Sequence, residues 1–222
     1  MISNFYEKLK RLIYKDQALS SSDVAKLCKT NERDAYEIFW GNEDLIKAYL
    51  EPSRIESYMF VIQYVLSKKY GNRVVEIGFG SGDFLRLLTL NSPERHFEIY
   101  GLDYSKMAVK RATGILPEGN FSTGNVYNLP YANDFFDQVF CIQTLEHLRN
   151  PEQVLKEMDR VCSPNGMILI SVPNGELDSY EGHVNFWSES EFRKFLSPRE
   201  LIDFKIYNQD RVFMVSMKPL KG

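Results

Sequence analysis

The sequence predicts an α/β fold: a doubly wound, mostly parallel seven-stranded sheet with a C-terminal antiparallel strand, preceded by an N-terminal helical cap. Three observations predict it: helical periodicity up to about residue 70, alternating strand and helix patterns after it, and two consecutive strand patterns near the C-terminus. Alternating strands and helices are typical of a sheet covered by helices on both faces. Two strands joined by a short turn run antiparallel. We therefore predict a cap or substrate lid, residues 1–70, and a second domain, residues 71–222.

The cap is predicted from apolar residues spaced three and four apart and from helix-start signals. One apolar stripe consists of Phe5, Leu9, Leu12 and Ile13. Residues 20–23 offer several N-caps, Asn42 can cap the helix that follows it, and Pro52 fits the first turn of a longer helix. Residues 19–39 faintly resemble a helix-turn-helix, but their charges are balanced rather than basic. We therefore interpret the cap as a cover for substrate.

The second domain is predicted to alternate apolar strands with helices. The predicted strands are Val74–Ile77, Phe97–Leu102, Asn120–Ser122, Asp137–Ile142, Met167–Val172, Leu201–Tyr207 and Val212–Met217. The predicted helices are Phe84–Leu90, one from Ser105 through Ala112, Pro151–Cys162 and Ser188–Leu196. Residues 163–166 are predicted to form a turn, and residues 208–210 a hairpin turn.

The turn after the first strand carries three glycines at every second position, Gly78, Gly80 and Gly82, and Glu76 stands directly before them. Glycine allows unusual backbone angles and lets a ligand approach the main chain. Asp103 ends the next predicted strand, about twenty residues on, the separation expected of a ribose-binding acid. Together these features indicate a cofactor that contains adenosine.

The glycine spacing argues against a dinucleotide cofactor, and so against a dehydrogenase. The G-x-G-x-x-G fingerprint needs a third glycine where this chain has Asp83 or Leu85, and Asp83 would repel a pyrophosphate at the helix N-terminus. The pattern E-x-G-x-G-x-G of residues 76–82 instead resembles the first motif of class I (Rossmann-like) S-adenosylmethionine-dependent methyltransferases. That cofactor carries a sulfonium cation and no phosphate, which suits an acid beside the turn.

The resemblance continues from about residue 74 to the end of the chain. It includes residues 124–139, 141–151, 164–174 and 183–192, which resemble ordered segments of small-molecule methyltransferases. It implies S-adenosylmethionine as the cofactor. The cofactor-binding residues that it implies are Glu76, Gly78, Gly80, Gly82, Asp103, Tyr104, Asn125, Val126 and Gln143. Asn125 stands where an acid is more usual, but its amide oxygen can still accept a hydrogen bond from the adenine amine.

Two histidines are candidates for a catalytic general base, because imidazole titrates near working pH. His147 follows the exit of the fourth strand and His183 lies after the fifth, so both can face a methyl acceptor. The alternative for each is a structural role, bracing a loop or capping a helix. His96 precedes a strand and is predicted to be solvated.

No metal ion is predicted, although some metal-using members of the superfamily have Glu-x-x-Glu-His near strand four and a later histidine. This chain has Gln143 in the first position, then Glu146 and His147, and His183 further on. A divalent ion would prefer the missing carboxylate.

Composition predicts a reduced, cytoplasmic setting. The 222 residues carry a net charge of −3 and no long basic run, so neither nucleic acid nor a membrane is predicted as a partner. No apolar run approaches the ~20 residues of a membrane helix, and no secretory leader pattern begins the chain. The three cysteines, Cys28, Cys141 and Cys162, are too few and too scattered for a disulfide framework, and the last two read as small core residues. We expect a monomer or a homodimer.

The sequence therefore predicts a methyltransferase that acts by in-line displacement on an oxygen, nitrogen or carbon nucleophile of a small molecule. The alternative is a non-catalytic accessory protein that binds S-adenosylmethionine. The identity of the acceptor is not encoded in any motif. A further hypothesis is an aromatic lid around the acceptor, formed by Trp40, Tyr49, Tyr180, Phe186 and Trp187.

Overall fold

The computed structural model describes residues 32–221. Between residue 32 and the sheet, the structure has three helices: α1 (Arg33–Trp40), α2 (Glu43–Tyr49) and α3 (Pro52–Ser67). The Asn42 side chain caps α2 by accepting hydrogen bonds from the backbone amides of Asp44 and Leu45, and Pro52 lies in the first turn of α3. Both signals were predicted and are confirmed. The predicted stripe and caps between residues 5 and 23, and most of the segment that resembles a helix-turn-helix, lie outside the described residues.

Within the described residues, the sheet contains seven strands, as predicted. They are β1 (Arg73–Ile77), β2 (Glu98–Asp103), β3 (Asn120–Thr123), β4 (Phe136–Ile142), β5 (Cys162–Pro173), β6 (Leu201–Tyr207) and β7 (Val212–Met217). Their spatial order is β3-β2-β1-β4-β5-β7-β6. Of these seven strands, β7 alone runs opposite to the others, and it pairs with β5 and β6. Strand β1 lies between β2 and β4. The predicted C-terminal antiparallel strand is therefore confirmed.

Four more helices connect these strands: α4 (Asp83–Leu90), α5 (Lys106–Ile115), α6 (Pro151–Val161) and α7 (Glu189–Leu196). Ser105 caps α5 by accepting from the amides of Met107 and Ala108, and Ser188 forms a capping box with Glu191 at the start of α7. These side chains satisfy amides that a helix leaves without intrahelical partners. Single 3₁₀ turns lie at Pro93–Arg95 and Leu145–His147.

Successive strand residues pack into two different cores, which makes the sheet doubly wound. Val74 and Phe140 belong to the core beneath α3, α4 and α5. Val75 and Val139, one position along each strand, belong to the core beneath α6 and α7. Side chains alternate between the faces of a strand, and near-continuous apolar runs are typical of parallel strands covered on both faces. The predicted coverage of both faces is confirmed.

The prediction of a turn at residues 163–166 is wrong. Cys162 already pairs with Phe136 on β4, and regular pairing resumes between Met167 and Gln138. The four residues between Cys162 and Met167 therefore form an irregularity inside β5. Pro164 and Gly166 are typical of turns, but the neighbouring strand captures the residue before them, which is a tertiary effect that local composition does not report.

The cap helix α1 is tied to the start of α5 by Glu37. Its carboxylate accepts from the amides of Lys106 and Met107, both at 2.9 Å, and from the Ser105 hydroxyl at 2.8 Å. A carboxylate at a helix N-terminus is stabilised by the free amides and by the helix dipole. The described part of the cap thus packs on the sheet domain beside the end of β2. The division at residue 70 stays a prediction.

Two of the three cysteines lie in the core, as predicted. Cys141 and Cys162 are fully buried and free, and burial raises the pKa of both thiols. Both are therefore unreactive core residues, while Cys28 lies outside the described residues. Between residues 32 and 221, no helix has the length and apolar character needed to cross a membrane. A cytoplasmic location stays a prediction.

Candidate functional site

The sequence-predicted site residues come together at the carboxyl edge of the sheet. Gly78 follows β1, Asp103 ends β2 and Gln143 follows β4. Because β1 pairs in parallel with both β2 and β4, these strand ends are neighbours in space. In open α/β sheets, ligands bind outside the carboxyl ends of the strands.

The glycine turn is held in left-handed backbone geometry and packed between the cap and the exit of β4. Gly78, Gly80 and Gly82 have φ angles of +73°, +55° and +77°. A Cβ atom at Gly80 would lie 2.7 Å from Cζ2 of Trp40, and one at Gly78 would collide with the side chain of Thr144. We expected these glycines to keep space clear for a ligand. In the structure, protein side chains fill the space beside both Cα atoms, so close packing and the positive φ angles both require glycine at these positions.

Asp103 joins the glycine turn to the start of α5. Its Oδ2 accepts from the amide of Gly80 at 2.8 Å and its Oδ1 from the amide of Ser105 at 2.9 Å, and only 6% of the residue is exposed. Burial raises the pKa of Asp103 to about 6, although the backbone hydrogen bonds favour the ionised form. An ionised carboxylate has about four acceptor positions, so these backbone donors leave room for another donor such as a ribose hydroxyl.

Glu76 offers a buried carboxyl group that fits a cationic ligand. It is 2% exposed, and its Oε2 has no hydrogen-bond partner within the described part of the chain. Burial raises its pKa well above the usual range, and the negative charges of Asp103 and Asp83 add to this effect. A buried unsatisfied oxygen is costly, and a nearby cation or amine donor would lower that cost.

Three further predicted cofactor residues, Tyr104, Asn125 and Val126, follow the ends of β2 and β3. Tyr104 is 47% exposed at the rim, and Val126 is buried. Asn125 follows β3, and its Oδ1 accepts from the amide of Tyr127 at 2.9 Å. The predicted acceptor atom of Asn125 therefore already fixes a local turn, and its second lone pair is what remains for an adenine amine.

Gln143 adopts left-handed geometry without being glycine, with a φ angle of +52°. Its side-chain Oε1 accepts from the Arg54 guanidinium at 3.5 Å. Its backbone N–H donates to the carbonyl oxygen of Ser171 at 2.9 Å. Such backbone strain persists where the surroundings hold it, and it concentrates at functional sites. The strain at the exit of β4 agrees with a site at this edge.

His147 and His183, the histidine pair, lie in contact with ring centroids 4.6 Å apart. Nδ1 of His147 is 3.2 Å from the carbonyl oxygen of Gly182, and Nδ1 of His183 is 2.5 Å from Oδ2 of Asp178. Each of these hydrogen bonds places the proton on Nδ1, so Nε2 carries the lone pair. Sequence reasoning missed Asp178, because an acid five residues before a histidine has no recognisable pattern.

The two histidines differ in their surroundings. Burial lowers the pKa of His147 to about 4, and the neighbouring His183 acts in the same direction. His147 is therefore neutral at physiological pH and a weak base. His183 has the Asp178 carboxylate to stabilise a positive charge on its ring. Of the two predicted bases, the surroundings favour His183.

Glu146 lies beside the histidine pair with its carboxyl group buried. Burial raises its pKa to about 8, and Oε2 lacks a hydrogen-bond partner among residues 32–221. One ligand atom each of Glu146, His147 and His183 fall within 4.8 Å of one another, a spacing that can hold a metal ion. Two features disfavour a metal ion here. The positive charge of Arg54 acts on Glu146. Gln143 offers an amide where a divalent ion would prefer a carboxylate. We keep the prediction that no metal is used.

The aromatic residues predicted as a lid divide into two groups. Trp40 and Tyr49 contact each other edge to face in the cap, with centroids 5.2 Å apart. The ring centroids of Tyr180 and Phe186 lie 4.8 and 6.2 Å from that of His183. Trp187 is half-buried and packs instead against Phe192 and Phe195 of α7, at the border of the core. The aromatic lid stays a hypothesis, and the ring contacts of Trp187 are with α7.

The family is identified by comparison with known sequences. Residues 75–170 match the model of a family described as a methyltransferase domain. The comparison therefore identifies a methyltransferase domain in this chain, in agreement with the predicted resemblance to class I S-adenosylmethionine-dependent methyltransferases. S-adenosylmethionine is the cofactor of this methyltransferase, as predicted.

Two named relatives act on small molecules, as their names state. The demethylmenaquinone methyltransferase of Thermotoga maritima is 27% identical over 67% of this chain and 72% of its own length. The 2-methyl-6-phytyl-1,4-hydroquinone methyltransferase of Synechocystis is 25% identical over 80% of this chain, which spans only 59% of that relative.

Solved structures show the same fold at low sequence identity. The N-methyltransferase NodS of Bradyrhizobium japonicum, solved with S-adenosylhomocysteine, has a TM-score of 0.70 and 15% identity, covering 86% of this chain and 100% of its own. A methyltransferase from Aquifex aeolicus has a TM-score of 0.65 and 22% identity, covering 81% and 99%.

Replacing Asp103 by alanine is expected to weaken binding of S-adenosylhomocysteine by about 1–3 kcal/mol, because one change removes charge-assisted acceptors and the brace on Gly80. Isothermal titration calorimetry measures this loss. Asp44→Ala is the matched control, because that side chain is 91% exposed and lies in the cap. Equal affinity in the Asp103 variant and the wild type would remove Asp103 from the cofactor site.

Glu146 is expected to make the stability of this methyltransferase fall as pH rises. Its pKa is about 8 in the fold and near 4.5 when unfolded, so the stabilising contribution of its proton is fully present below pH 4.5 and lost as pH rises through 8. In Glu146→Gln, melting temperatures measured between pH 5 and 9 should fall less steeply than in the wild type. Parallel curves for the two proteins would mean that this carboxyl group does not carry a raised pKa.

Proposed function

We propose that this chain transfers the methyl group of S-adenosylmethionine to a nucleophilic atom of a small molecule, with His183 as general base. The single observation that carries the proposal is the hydrogen bond between Asp178 and His183, 2.5 Å long, beside the exit of β4. The names of the menaquinone and hydroquinone relatives support a small-molecule acceptor.

The proposed cofactor residues are those at the carboxyl edge of β1, β2 and β4. When bound, S-adenosylmethionine supplies an electrophilic methyl carbon attached to a sulfonium. Asp103 would hold the ribose hydroxyls, and Glu76 would offset positive charge beside the glycine turn. Tyr104, Asn125 and Val126 would flank the adenine, and Gly78 and Gln143 would border the amino-acid end. The donor set fits a cation that carries ribose hydroxyls, since the buried carboxyl groups of Glu76 and Asp103 lie at this edge.

Thr144 connects the histidine pair to the glycine turn. The Thr144 hydroxyl donates to the carbonyl oxygen of Gly78 at 3.1 Å, and the Thr144 carbonyl accepts from the amide of His147 at 3.0 Å. A base at His183 would accept the proton of the acceptor on Nε2, and Asp178 would stabilise the imidazolium that forms. His147 would orient the acceptor as a neutral hydrogen-bonding group.

Two measurements test the proposal. Calorimetry with S-adenosylmethionine and S-adenosylhomocysteine tests the cofactor site, and a methyl-donor assay over phenols, hydroquinones, amines and thiols tests transfer. Binding without transfer to any class would favour the accessory-protein alternative. Absence of binding would end both interpretations.

Treatment with EDTA followed by dialysis is expected to leave the rate of methyl transfer unchanged, because Arg54 already places a positive charge beside Glu146. The rate is compared before and after treatment, and again after adding Mg²⁺ or Zn²⁺. A loss that either ion restores would show that Glu146, His147 and His183 hold a metal.

A further inference from the structure

Arg54 extends from the cap helix α3 to the exit of β4. Its guanidinium lies 4.5 Å from the centroid of the Tyr49 ring, and Nη1 is 3.5 Å from Oε1 of Gln143. The residue is half-buried, and its charge interacts with Glu146 at a distance greater than that of an ion pair. Arg54 therefore brings a positive charge to the edge where the cofactor and the acceptor are proposed to meet.

Arg54 has weaker hydrogen-bond acceptors than the other partly buried arginines of the described residues. Of the described arginines that are not fully exposed, the others bond carboxylates or backbone carbonyls: Arg33, Arg73, Arg95, Arg111, Arg160 and Arg199. Within residues 32–221, the only acceptor of Arg54 is the long contact with Gln143. Withdrawing a guanidinium from water without a carboxylate is costly, so its persistence points to an anionic ligand.

The surroundings of Arg54 leave its guanidinium able to bind the carboxylate of a ligand. Stacking on Tyr49 holds the guanidinium plane while its edges remain able to donate, and two parallel N–H donors match a carboxylate. The Tyr49 hydroxyl lies 3.3 Å from that of Tyr58, and since one of them donates to the other, one hydroxyl hydrogen remains nearby as a further donor. Glu146 does not cancel the positive charge, because burial raises its pKa to about 8 and keeps it protonated at neutral pH.

We propose that Arg54 binds a carboxylate group in the reaction site. This inference rests on the proposed function. Two bound molecules can supply the carboxylate: the amino-acid end of the cofactor, or an acidic methyl acceptor. Both sources present the same chemistry to the guanidinium.

The first arm of the test measures the cofactor source by calorimetry. S-adenosylhomocysteine and 5′-methylthioadenosine, which lacks the amino-acid end, are titrated into the wild type, Arg54→Gln and Arg54→Lys. If the cofactor supplies the carboxylate, Arg54→Gln should lose at least about tenfold in affinity for S-adenosylhomocysteine and none for 5′-methylthioadenosine. Arg54→Lys should retain part of that affinity.

The second arm measures the acceptor source on protein saturated with S-adenosylhomocysteine. The probes are 4-hydroxybenzoate and its neutral analogue 4-hydroxybenzamide. If the acceptor supplies the carboxylate, the wild type should prefer the acid by about tenfold or more, and Arg54→Gln should lose this preference. Arg86→Gln is the matched control, since Arg86 is exposed on α4 and its loss removes the same charge.

The proposal is overturned if Arg54→Gln, with a wild-type melting temperature, changes neither the affinity for S-adenosylhomocysteine nor the preference for the acid. Equal effects of Arg86→Gln would overturn it as well, because they would report overall charge. A wild type that binds no S-adenosylhomocysteine would instead contradict the proposed function itself.

Discussion

Replacing Gly80 by valine is expected to abolish detectable binding of S-adenosylhomocysteine. The φ angle of +55° disfavours a β-branched residue, and the new Cβ would lie 2.7 Å from the Trp40 ring. The turn has to move, and with it the Gly80 amide that donates to Asp103. Calorimetry should show an affinity loss of more than about a hundredfold, equivalent to about 2.7 kcal/mol.

Gly114→Ala is the control for this substitution. Gly114 lies in α5, and a Cβ atom there meets no heavy atom within 4 Å. Alanine inside a helix should raise stability by about 0.5–1 kcal/mol without changing affinity. If Gly80→Val folds and binds S-adenosylhomocysteine like the wild type, the glycine turn is not part of the cofactor site.

Replacing His183 by glutamine is expected to lower kcat by about a hundredfold or more while cofactor affinity stays near that of the wild type. The variant lacks the basic nitrogen that Asp178 orients, and general-base catalysis contributes about 10²–10⁴-fold. Rates are measured with the best acceptor found in the methyl-donor assay. Asp178→Asn should also lower kcat, with a smaller change in KM, because it removes the charge that stabilises the imidazolium.

His96→Asn is the control for the histidine variant. His96 is exposed at the end of a 3₁₀ turn, and its left-handed backbone suits asparagine. Its kcat should equal that of the wild type. A His183→Gln variant with full kcat would show that transfer from this acceptor needs no base at His183.

The order of strands and helices could be predicted because each element has a local pattern. β1, β4 and β5 are apolar runs, and Ser105 and Ser188 mark helix starts that the structure confirms. The turn predicted at residues 163–166 fails because Cys162 pairs with a strand distant in sequence. Local propensity cannot report such a pairing.

The predicted site residues reach one edge of the sheet because parallel pairing aligns the ends of their strands. Their partners could not be predicted. Arg54 and Asp178 belong to no recognisable motif, and Trp40 packs over a glycine forty residues away. These contacts are made between elements that the chain brings together only when it folds.

The amino-acid sequence alone determined the fold class, the glycine turn with Asp103 and, through its resemblance, the cofactor family. These depend on periodicity and short-range spacing, which a linear chain records. The tertiary structure decided which histidine hydrogen-bonds to an acid, which of the predicted lid residues pack together, and where Arg54 places its charge. Such properties depend on distance and burial, and these arise only when the cap and the strand ends pack together.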